Sequence, residues 1–342
     1  MSVQLKSAEI SKARELVAGA SKIVITTHKS PDGDAIGSSL ALWHLLREAG
    51  KQAVVIVPDD IPGFLKWMKG TDGILVHFYA KNKAEELIAQ ADLVFMLDYN
   101  NLNRTGAMEG PLRESKADFI LIDHHRQPET FPTLVYSDTS QCSTAQMIYK
   151  FMVWMDWKQY LNRDIGACIY CGIMTDSGSF RFPSVTPETH HIVAHLVEEG
   201  VDHSYVHRMV HDNNSEDRLR LIGYALGKKM EVLEDCSTAI ISLTEDELKR
   251  YNQQPGDTEG LVNQALSIGK VNLAAFFRES GGEVRLSLRS KGQFDVNRMA
   301  RESWNGGGHL NAAGGSTSEP IEEALARFRA QVRSMAEMIK NA

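Results

Sequence analysis

The sequence has few cysteines, no long apolar run and no excess of positive charge, and each absence excludes a class of protein. Four cysteines in 342 residues do not make a disulfide framework of the kind that small secreted domains use. No apolar stretch approaches the roughly 18 residues that a membrane-spanning helix requires. The net charge of −7 excludes a broadly basic nucleic-acid coat protein. Any nucleic acid that the protein binds is therefore expected to be short and held locally.

The first residues also lack the apolar core of a secretory signal peptide, so we expect a cytoplasmic protein without a membrane partner. A chain of this length typically forms about two domains, and 43% apolar residues are enough to fill two hydrophobic cores.

Four clusters of acidic and histidine residues follow short apolar runs of the sequence. Such runs between helical patterns are typical of buried parallel strands, and open parallel sheets bind ligands at the carboxyl ends of their strands. The four clusters are therefore expected to meet at one edge of a sheet. The side chains brought into one cleft would be His28, Asp32, Asp34, Asp98, Asp123, His124, His125 and Asp176.

This convergence is hard to explain without metal ions. Five carboxylates packed together repel one another, and some would have to stay protonated. Two divalent cations add about four positive charges and remove most of that penalty. Mixed carboxylate and imidazole ligation suits Mn²⁺, with Mg²⁺, Co²⁺ or Zn²⁺ as alternatives, and the lack of cysteine ligands argues against a structural zinc site. Since metals about 3.5–4 Å apart serve in-line displacement at phosphorus, the clusters predict a two-metal phosphoesterase.

The same residues resemble the motifs of a known family, the DHH phosphoesterases. Four segments of this chain resemble the four motifs of that family, and they are His28-x3-Asp32-Gly-Asp34, Leu97-Asp98, Asp123-His124-His125 and Thr175-Asp176-Ser-Gly-Ser-Phe180. Near the C-terminus, Gly306-Gly-Gly-His309-Leu-Asn-Ala312-Ala313-Gly314 resembles the signature of the DHH-associated domain. The match has the family's order and spacing and runs nearly from end to end.

The resemblance implies a ligand set and a substrate class. It assigns six ligands, with His28 and Asp32 on one ion, Asp34, His124 and Asp176 on the other, and Asp98 as the bridge. A chain of this length without extra domains resembles the nano-RNase branch of the family. That branch hydrolyses short RNA oligonucleotides to mononucleotides and removes the 3′-phosphate from pAp (3′-phosphoadenosine 5′-phosphate).

Other residues near the clusters have expected roles of their own. Asp123 is expected to orient the metal-bound imidazole beside it through the second ring nitrogen, or to touch the metal weakly. His125 is expected to contact the substrate phosphate or to protonate the leaving oxygen as a general acid. Arg104, which follows the Asp98 strand, is a candidate phosphate contact.

The C-terminal region offers a second set of candidate substrate contacts. The backbone of Gly306, Gly307, Gly308 and His309 could aim several N–H groups at an anion, as in a nest, with a tight turn as the alternative. Arg289, at the end of a predicted strand over 283–289, is a candidate for a bidentate grip on a terminal phosphate. Trp304 is a core residue by default, and stacking on a base is the alternative.

Alternating strand and helix patterns predict an α/β fold. We expect a doubly wound, mostly parallel sheet and a second, smaller α/β domain joined to it by a helical linker. The expected boundaries are 1–185 for the metal-binding catalytic domain, 186–230 for the linker and 231–342 for the substrate-binding domain. Within the first domain, the pattern predicts a third strand over 73–78, a loop after Asp123 that carries Pro128 and Pro132, and a helix from Asn162 that leads to the Asp176 motif, although the apolar run before Asp176 also fits a buried strand.

Three other functions remain open at this stage, while a tRNA-binding or editing module with a related C-terminal domain is disfavoured by the acidic charge balance and the lack of synthetase segments. A phosphodiesterase that cleaves the linear dinucleotide pApA in cyclic-di-AMP turnover would use the same residues. An inorganic pyrophosphatase shares the metal motifs but lacks the C-terminal domain that carries Gly306, Gly307 and Gly308 here. A non-catalytic nucleotide-binding regulator would be favoured if predicted metal ligands were replaced by other residues. Here every predicted ligand position carries a histidine or an aspartate. A homodimer is one alternative for the assembly.

Overall fold

The structure is a computed structural model and describes residues 6–342. It divides into two compact units, Met1–Asn213 and Asn214–Ala342, each with its own six-stranded sheet. Within residues 6–342, none of the helices combines the length and the apolar character needed to cross a membrane.

The first unit contains a fully parallel sheet with strand order β3-β2-β1-β4-β5-β6. Its strands are β1 (Lys22–Thr26), β2 (Gln52–Val57), β3 (Leu75–Val76), β4 (Leu93–Leu97), β5 (Asp118–Asp123) and β6 (Leu134–Ser137). The order reverses between β1 and β4, which is the switch point where doubly wound sheets bind their ligands. The predicted doubly wound parallel sheet is confirmed.

Helices cover both faces of this sheet. They are α1 (Ser7–Gly19), α2 (Gly33–Glu48), α3 (Lys81–Ala89), α4 (Glu109–Glu114), α5 (Thr144–Trp154), α6 (Arg163–Asp176), α7 (Pro187–Glu198) and α8 (His203–His211). The larger core lies on the face covered by α2, α5 and α6, and the smaller core lies under α3 and α4.

Residues 169–175 form a helix, so the apolar run before Asp176 is not a buried strand, whereas the helix predicted from Asn162 to the Asp176 motif is present. They belong to α6, which begins after Asn162, whose side chain accepts hydrogen bonds from the first backbone N–H groups of the helix. Because α6 packs against both α2 and α5, most of its sides are buried. A buried helix and a buried strand give the same short apolar run. Asp176 therefore lies at the C-terminus of a helix.

Two smaller expectations are also corrected. The stretch after Asp123 contains the strand β6, because Pro128 and Pro132 both precede the strand and leave its ladder intact. The strand expected over 73–78 is reduced to the two residues of β3 at the sheet edge.

The second unit contains a mixed sheet with strand order β11-β12-β10-β9-β8-β7. Its strands are β7 (Met230–Leu233), β8 (Thr238–Leu243), β9 (Leu273–Ser280), β10 (Glu283–Ser290), β11 (Gly307–Gly308) and β12 (Ala312–Thr317). Its helices are α9 (Glu216–Tyr224), α10 (Glu245–Arg250), α11 (Leu261–Leu266), α12 (Val296–Ser303), α13 (Ile321–Ser334) and α14 (Ala336–Lys340). One face of the sheet packs on α12 and α13, and β8 and β9 pack on α11 at the other face.

Candidate metal centre

His28, Asp32 and Asp98 come together at the carboxyl ends of β1 and β4, where the strand order reverses. His28 Nε2 lies 3.4 Å from Asp98 Oδ2 and 3.9 Å from Asp32 Oδ2. One candidate ligand atom from each residue lies within 4.8 Å of the others. This first group could hold a metal ion.

Asp34, His124 and Asp176 form a second group of the same kind. His124 Nε2 lies 3.5 Å from Asp176 Oδ2 and 3.9 Å from Asp34 Oδ2. The same nitrogen is 3.5 Å from Asp98 Oδ1. Asp98 therefore presents one oxygen to each group. The structure brings together the six side chains that the sequence predicts as ligands, and their binding of metal stays a prediction.

Asp32 combines a structural contact with its position in the first group. It is the N-cap of α2, and its Oδ1 accepts hydrogen bonds of 3.0 Å from the backbone N–H groups of Asp34 and Ala35. Its Oδ2 is the oxygen that faces His28. Capping the helix and ligating a metal are thus compatible for this side chain.

Asp34 is held by the N-terminus of another helix, α5. Its two carboxylate oxygens accept hydrogen bonds from the backbone N–H groups of Thr144 at 2.6 Å and Ala145 at 2.8 Å. The N-terminus of a helix favours negative charge because its first N–H groups are unpaired and the helix dipole points there. A Cβ at Gly172 of α6 would lie 2.8 Å from Asp34 Oδ1, so glycine is required for this close packing.

Asp98 has a backbone conformation that fixes the direction of its side chain. Its φ of 63° lies in the left-handed region, which is uncommon for a residue with a Cβ and is enriched at functional sites. The Thr144 hydroxyl donates a 3.0 Å hydrogen bond to Asp98 Oδ1. Both features hold the carboxylate between the two groups.

The orientation of the two histidine rings fits a bound cation. His28 Nδ1 lies 2.9 Å from the Lys29 carbonyl, and His124 Nδ1 lies 3.3 Å from the Gln141 carbonyl. A carbonyl oxygen can only accept, so each Nδ1 carries the proton in a neutral ring and each Nε2 presents a lone pair. These lone pairs face carboxylates, which repel them unless a proton or a metal ion lies between. The donor set therefore fits divalent cations.

The pKa shifts of the acidic and histidine residues at the centre also favour bound cations. Burial disfavours charge on His124, yet Asp176 and Asp98 hold its pKa well above the ordinary value. Burial, with repulsion from Asp98 and Asp176, raises the pKa of Asp34 well above its usual range. Burial also works against charge on Asp98, but hydrogen bonds with His124 and His28 hold its pKa well below the usual value. Cations would relieve the excess of negative charge.

Asp123 contacts His125, and the expectation that it orients His124 is wrong. Asp123 Oδ1 lies 2.7 Å from His125 Nδ1, whereas the second nitrogen of His124 faces the Gln141 carbonyl. Residues two apart at the end of a strand point to the same side, and direct neighbours do not. Asp123 Oδ2 is buried without a hydrogen-bond partner among residues 6–342, which leaves it open to a cation.

Arg104 lies beside the centre, and its contact with a substrate phosphate stays a prediction. Its Nη1 is 3.4 Å from the Asp98 carbonyl oxygen, and its own carbonyl accepts a 2.7 Å hydrogen bond from the Lys29 N–H. Burial lowers the pKa of His125, and the positive charge of Arg104 adds to this effect against the attraction of Asp123. The guanidinium is therefore close enough to influence a group at the centre.

In the second unit, the segment with Gly306, Gly307 and Gly308 is part of a close-packed hairpin. The N–H groups of Gly306 and Gly308 donate to the Ala300 carbonyl at 3.1 Å and to Asn297 Oδ1 at 2.9 Å, and that of His309 donates across the hairpin. The expected nest is wrong for these three groups, because protein acceptors use them. A Cβ at Gly306 would lie 1.9 Å from a backbone oxygen of β12, and one at Gly308 would lie 2.3 Å from another, so the glycines allow close approach.

Two other residues of the second unit have clear positions. Arg289 lies near the end of β10, as predicted, between Ala274 of β9 and Ala312 of β12. Trp304 is fully buried in the core, with the Arg327 guanidinium 3.7 Å from the centre of one of its rings. Base stacking by Trp304 is therefore excluded.

The comparison with protein families and solved structures decides the family. The DHH family, N-terminal domain matches residues 22–173, and the DHHA1 domain matches residues 239–338. A crystal structure of an exopolyphosphatase-related protein from Bacteroides fragilis is 40% identical, with 98% of each chain covered and a TM-score of 0.91. This chain belongs to the DHH family. As a DHH protein it is a hydrolase that acts on phosphoester bonds.

Two curated relatives of this DHH protein carry specific names. The bifunctional oligoribonuclease and PAP phosphatase NrnA of Thermus thermophilus is 29% identical over 331 residues, which are 95% of this chain and 92% of that protein. The cyclic-di-AMP phosphodiesterase GdpP of Bacillus subtilis is 26% identical over 332 residues. The match with GdpP covers 92% of this chain but only 48% of that protein.

The DHH motifs by themselves do not reveal two residues that hold the centre in place. Gln141 orients His124 through its carbonyl, and its side chain is fixed by hydrogen bonds with Asp138 and Gln146. Thr144 contacts both Asp34 and Asp98. The sequence signal was the N-cap Ser143, which places Thr144 in the first turn of α5 but does not say what that turn faces.

Proposed function

We propose that this protein is a two-metal phosphoesterase that hydrolyses short oligoribonucleotides to mononucleotides and removes the 3′-phosphate of pAp to give AMP and phosphate. The observation that supports this most directly is the position of Asp98. One of its oxygens lies 3.4 Å from His28 of the first group, and the other lies 3.5 Å from His124 of the second. A carboxylate shared between two donor groups suits two adjacent cations.

The proposed cofactors are two divalent cations, Mn²⁺ by preference, with Mg²⁺ or Co²⁺ as alternatives, because the donors are carboxylates and imidazoles. His28 and Asp32 would hold one ion, Asp34, His124 and Asp176 the other, and Asp98 both. When bound, such ions polarise phosphoryl oxygens and lower the pKa of water.

His125 and Asp123 act as a pair in this proposal. Because Asp123 accepts the Nδ1 proton of His125, the Nε2 atom is left to bind the substrate phosphate or to exchange a proton with the leaving oxygen. Burial lowers the pKa of His125 against the attraction of Asp123, so a ring that carries a second proton on Nε2 would release it readily to a phosphate or leaving oxygen. The Arg104 guanidinium would balance the charge of the phosphate.

The second unit would bind the part of the substrate that does not react. Arg289 is the proposed grip on a terminal phosphate, and His309, which follows the close-packed hairpin of Gly306, Gly307 and Gly308, is the proposed second contact. Binding energy from remote parts of a substrate is best used to orient the reacting group. In domain terms, residues 1–185 would be catalytic, 186–230 the linker and 231–342 substrate-binding.

The similarity to NrnA along nearly the full length of both chains supports this substrate class. The similarity to GdpP supports a second candidate, a phosphodiesterase that cleaves the linear dinucleotide pApA. Both reactions need the same metal centre and differ in which substrate is preferred.

A substrate panel tests the proposal. The full chain, treated with EDTA and then supplied with Mn²⁺, is assayed with pAp, pApA, a triribonucleotide and pyrophosphate. We expect no activity in EDTA and hydrolysis of both pAp and the triribonucleotide with Mn²⁺. A strong preference for pApA over both would favour the second candidate. Activity on pyrophosphate alone, or on none of the four, would contradict both.

A further inference from the structure

The loop that follows Asp176 has an unusual and well-fixed backbone. Gly178, Ser179 and Phe180 have φ angles of 59°, 58° and 64°, so three consecutive residues lie in the left-handed region. That conformation is uncommon for residues with a Cβ and is enriched where a chain clamps a ligand. Ser177 holds the loop, because its buried hydroxyl accepts a 2.9 Å hydrogen bond from the Phe180 N–H. The backbone therefore fixes the directions of the side chains that follow.

The loop places its two phenylalanines in different surroundings. Phe180 is half-buried, and the centre of its ring lies 5.9 Å from the ring centres of Tyr170 and His190. Phe182 is 37% exposed, and its ring rests on Gly178, where a Cβ would lie 2.6 Å from the ring. Phe180 is thus a packing residue, whereas part of the Phe182 ring is open to solvent.

Arg181 presents a positive charge from the same loop. The residue is exposed, and its Nε donates a 2.6 Å hydrogen bond to the Gly178 carbonyl. Among residues 6–342, the guanidinium forms no ion pair with a carboxylate. Its two Nη groups can donate to two oxygens of one phosphate, so they are suited to an anion from outside the protein.

Both side chains lie close to the candidate metal centre. Gly178, which both of them contact, comes two residues after Asp176, so the Cα atoms of these two residues are at most about 7.6 Å apart. Asp176 Oδ2 in turn lies 3.5 Å from His124 Nε2. In a nucleotide, only the ribose separates the base from the 3′-phosphate. A phosphate at the centre would therefore have its base within reach of the loop.

We propose that Arg181 and Phe182 form a nucleotide subsite beside the metal centre, in which the Phe182 ring stacks on a nucleobase and the Arg181 guanidinium pairs with a phosphate oxygen of the same substrate. This inference rests on the proposed function and adds the residues that recognise the base. Stacking on an aromatic ring accepts any base, because every base has a π face. The subsite therefore suits short RNA of mixed sequence as well as pAp.

A substrate without a base separates stacking from phosphate binding. For Phe182→Leu in the full chain with Mn²⁺, we expect kcat/KM for pAp to fall on the order of ten-fold, mainly through KM, because stacking is lost. Ribose 3′,5′-bisphosphate, which is pAp without its adenine, should be hydrolysed equally well by this variant and the wild type. Arg181→Gln should lower kcat/KM for both compounds, and Arg181→Lys should recover part of the loss because it restores the charge but not the planar fork.

Two variants at the amino ends of the strands are the matched controls. Phe131 is 47% exposed and packs against Phe119 near the start of β5, and the exposed Lys116 lies two residues before that strand. Phe131→Leu and Lys116→Gln remove the same kinds of group at the edge of the sheet opposite the metal centre. Neither should change kcat/KM for pAp.

Metal affinity, stability and oligomeric state separate binding from a structural role. Phe182→Leu and Arg181→Gln change exposed side chains, so both should keep the wild-type Mn²⁺ affinity, Tm and mass in light scattering. A fall in Mn²⁺ affinity or Tm would show that these residues only hold the loop and Asp176 in place. A change in mass would show that Phe182 contacts a second copy of the chain. Any of these results would overturn the subsite.

The kinetic outcomes distinguish the subsite from the function on which it rests. If the wild type hydrolyses pAp and Phe182→Leu shows no loss, or an equal loss on ribose 3′,5′-bisphosphate, stacking is refuted and the function stands. A loss in Phe131→Leu as large as in Phe182→Leu refutes it as well. If the wild type hydrolyses neither pAp nor a triribonucleotide, the proposed function fails and the inference fails with it.

Discussion

The side-chain hydroxyl of Thr144 donates a hydrogen bond of 3.0 Å to the carboxylate of Asp98. Its backbone N–H also donates to Asp34 at 2.6 Å. One residue at the start of α5 thus holds a carboxylate of each donor group. Hydrogen bonds of this kind set the direction of a ligand without contacting the metal.

Replacing Thr144 by valine should weaken metal binding without unfolding the protein. Thr144→Val keeps the shape and the backbone N–H but removes the hydroxyl, so Asp98 loses one fixed direction. We expect metal affinity to fall roughly 10–100-fold, as measured by calorimetric titration of the metal-free protein with Mn²⁺. Thr144→Ser retains the hydroxyl and should stay close to the wild type. Equal Mn²⁺ affinity in the valine and serine variants would show that the hydroxyl has no such role.

Asp98→Ala should abolish hydrolysis and reduce the number of bound ions. Asp98 is the residue shared by both donor groups, so its loss affects both sites. The measurements are turnover of pAp and the Mn²⁺ content per chain, with circular dichroism to verify the fold. Normal turnover in this variant would disprove the bridging position.

Asp123→Asn separates the role of a positioning residue from that of a ligand. The amide can still contact His125 but no longer attracts its Nδ1 proton as a carboxylate does. If Asp123 only orients His125, kcat should fall on the order of 10²-fold while Mn²⁺ affinity stays unchanged. A large loss of Mn²⁺ affinity would instead identify Asp123 as a ligand.

Gly172→Ala should disturb both stability and the metal centre. The new Cβ would lie 2.5 Å from the Ala145 Cβ and 2.8 Å from Asp34 Oδ1, so α5 or α6 has to move. Overpacking of this kind costs about 1–3 kcal/mol of unfolding free energy, which chemical denaturation measures. Gly223→Ala is the matched control, because nothing lies within 4 Å of its Cβ position and alanine favours a helix. Equal stability of the two variants would contradict the close packing.

The second unit should lose stability in acid through Glu247. Burial raises the pKa of Glu247, but hydrogen bonds from Lys229 and Tyr224 lower it to about 2 from an ordinary 4.5. Because its pKa is lower in the folded state, Glu247 contributes fully to the free energy of unfolding above about pH 4.5, and this contribution is lost as the pH falls towards about 2.

Thermal unfolding between those pH values tests this contribution. Glu247→Gln should lower Tm at neutral pH and flatten its decrease in acid. Glu302→Gln removes an exposed pair with Arg298 and should change little. An acid profile of Glu247→Gln that parallels the wild type would refute the role of Glu247.

The sequence by itself determined the sheet and the residues of the centre. Parallel strands are buried on both faces, so β1, β4 and β5 appear as short apolar runs, and His28, Asp98 and His124 follow them within two residues. Since the carboxyl ends of parallel strands meet at one edge, their order along the chain was enough to bring these side chains together.

Only the tertiary structure decided which groups contact one another. Residues 169–175 are apolar whether they form a strand or a buried helix, and packing between α2 and α5 selects the helix that ends at Asp176. The partner of Asp123, the position of Thr144 and the use of the glycine N–H groups depend on contacts between distant segments. Local sequence fixes the direction of a chain over a few residues, whereas such contacts depend on how whole elements pack.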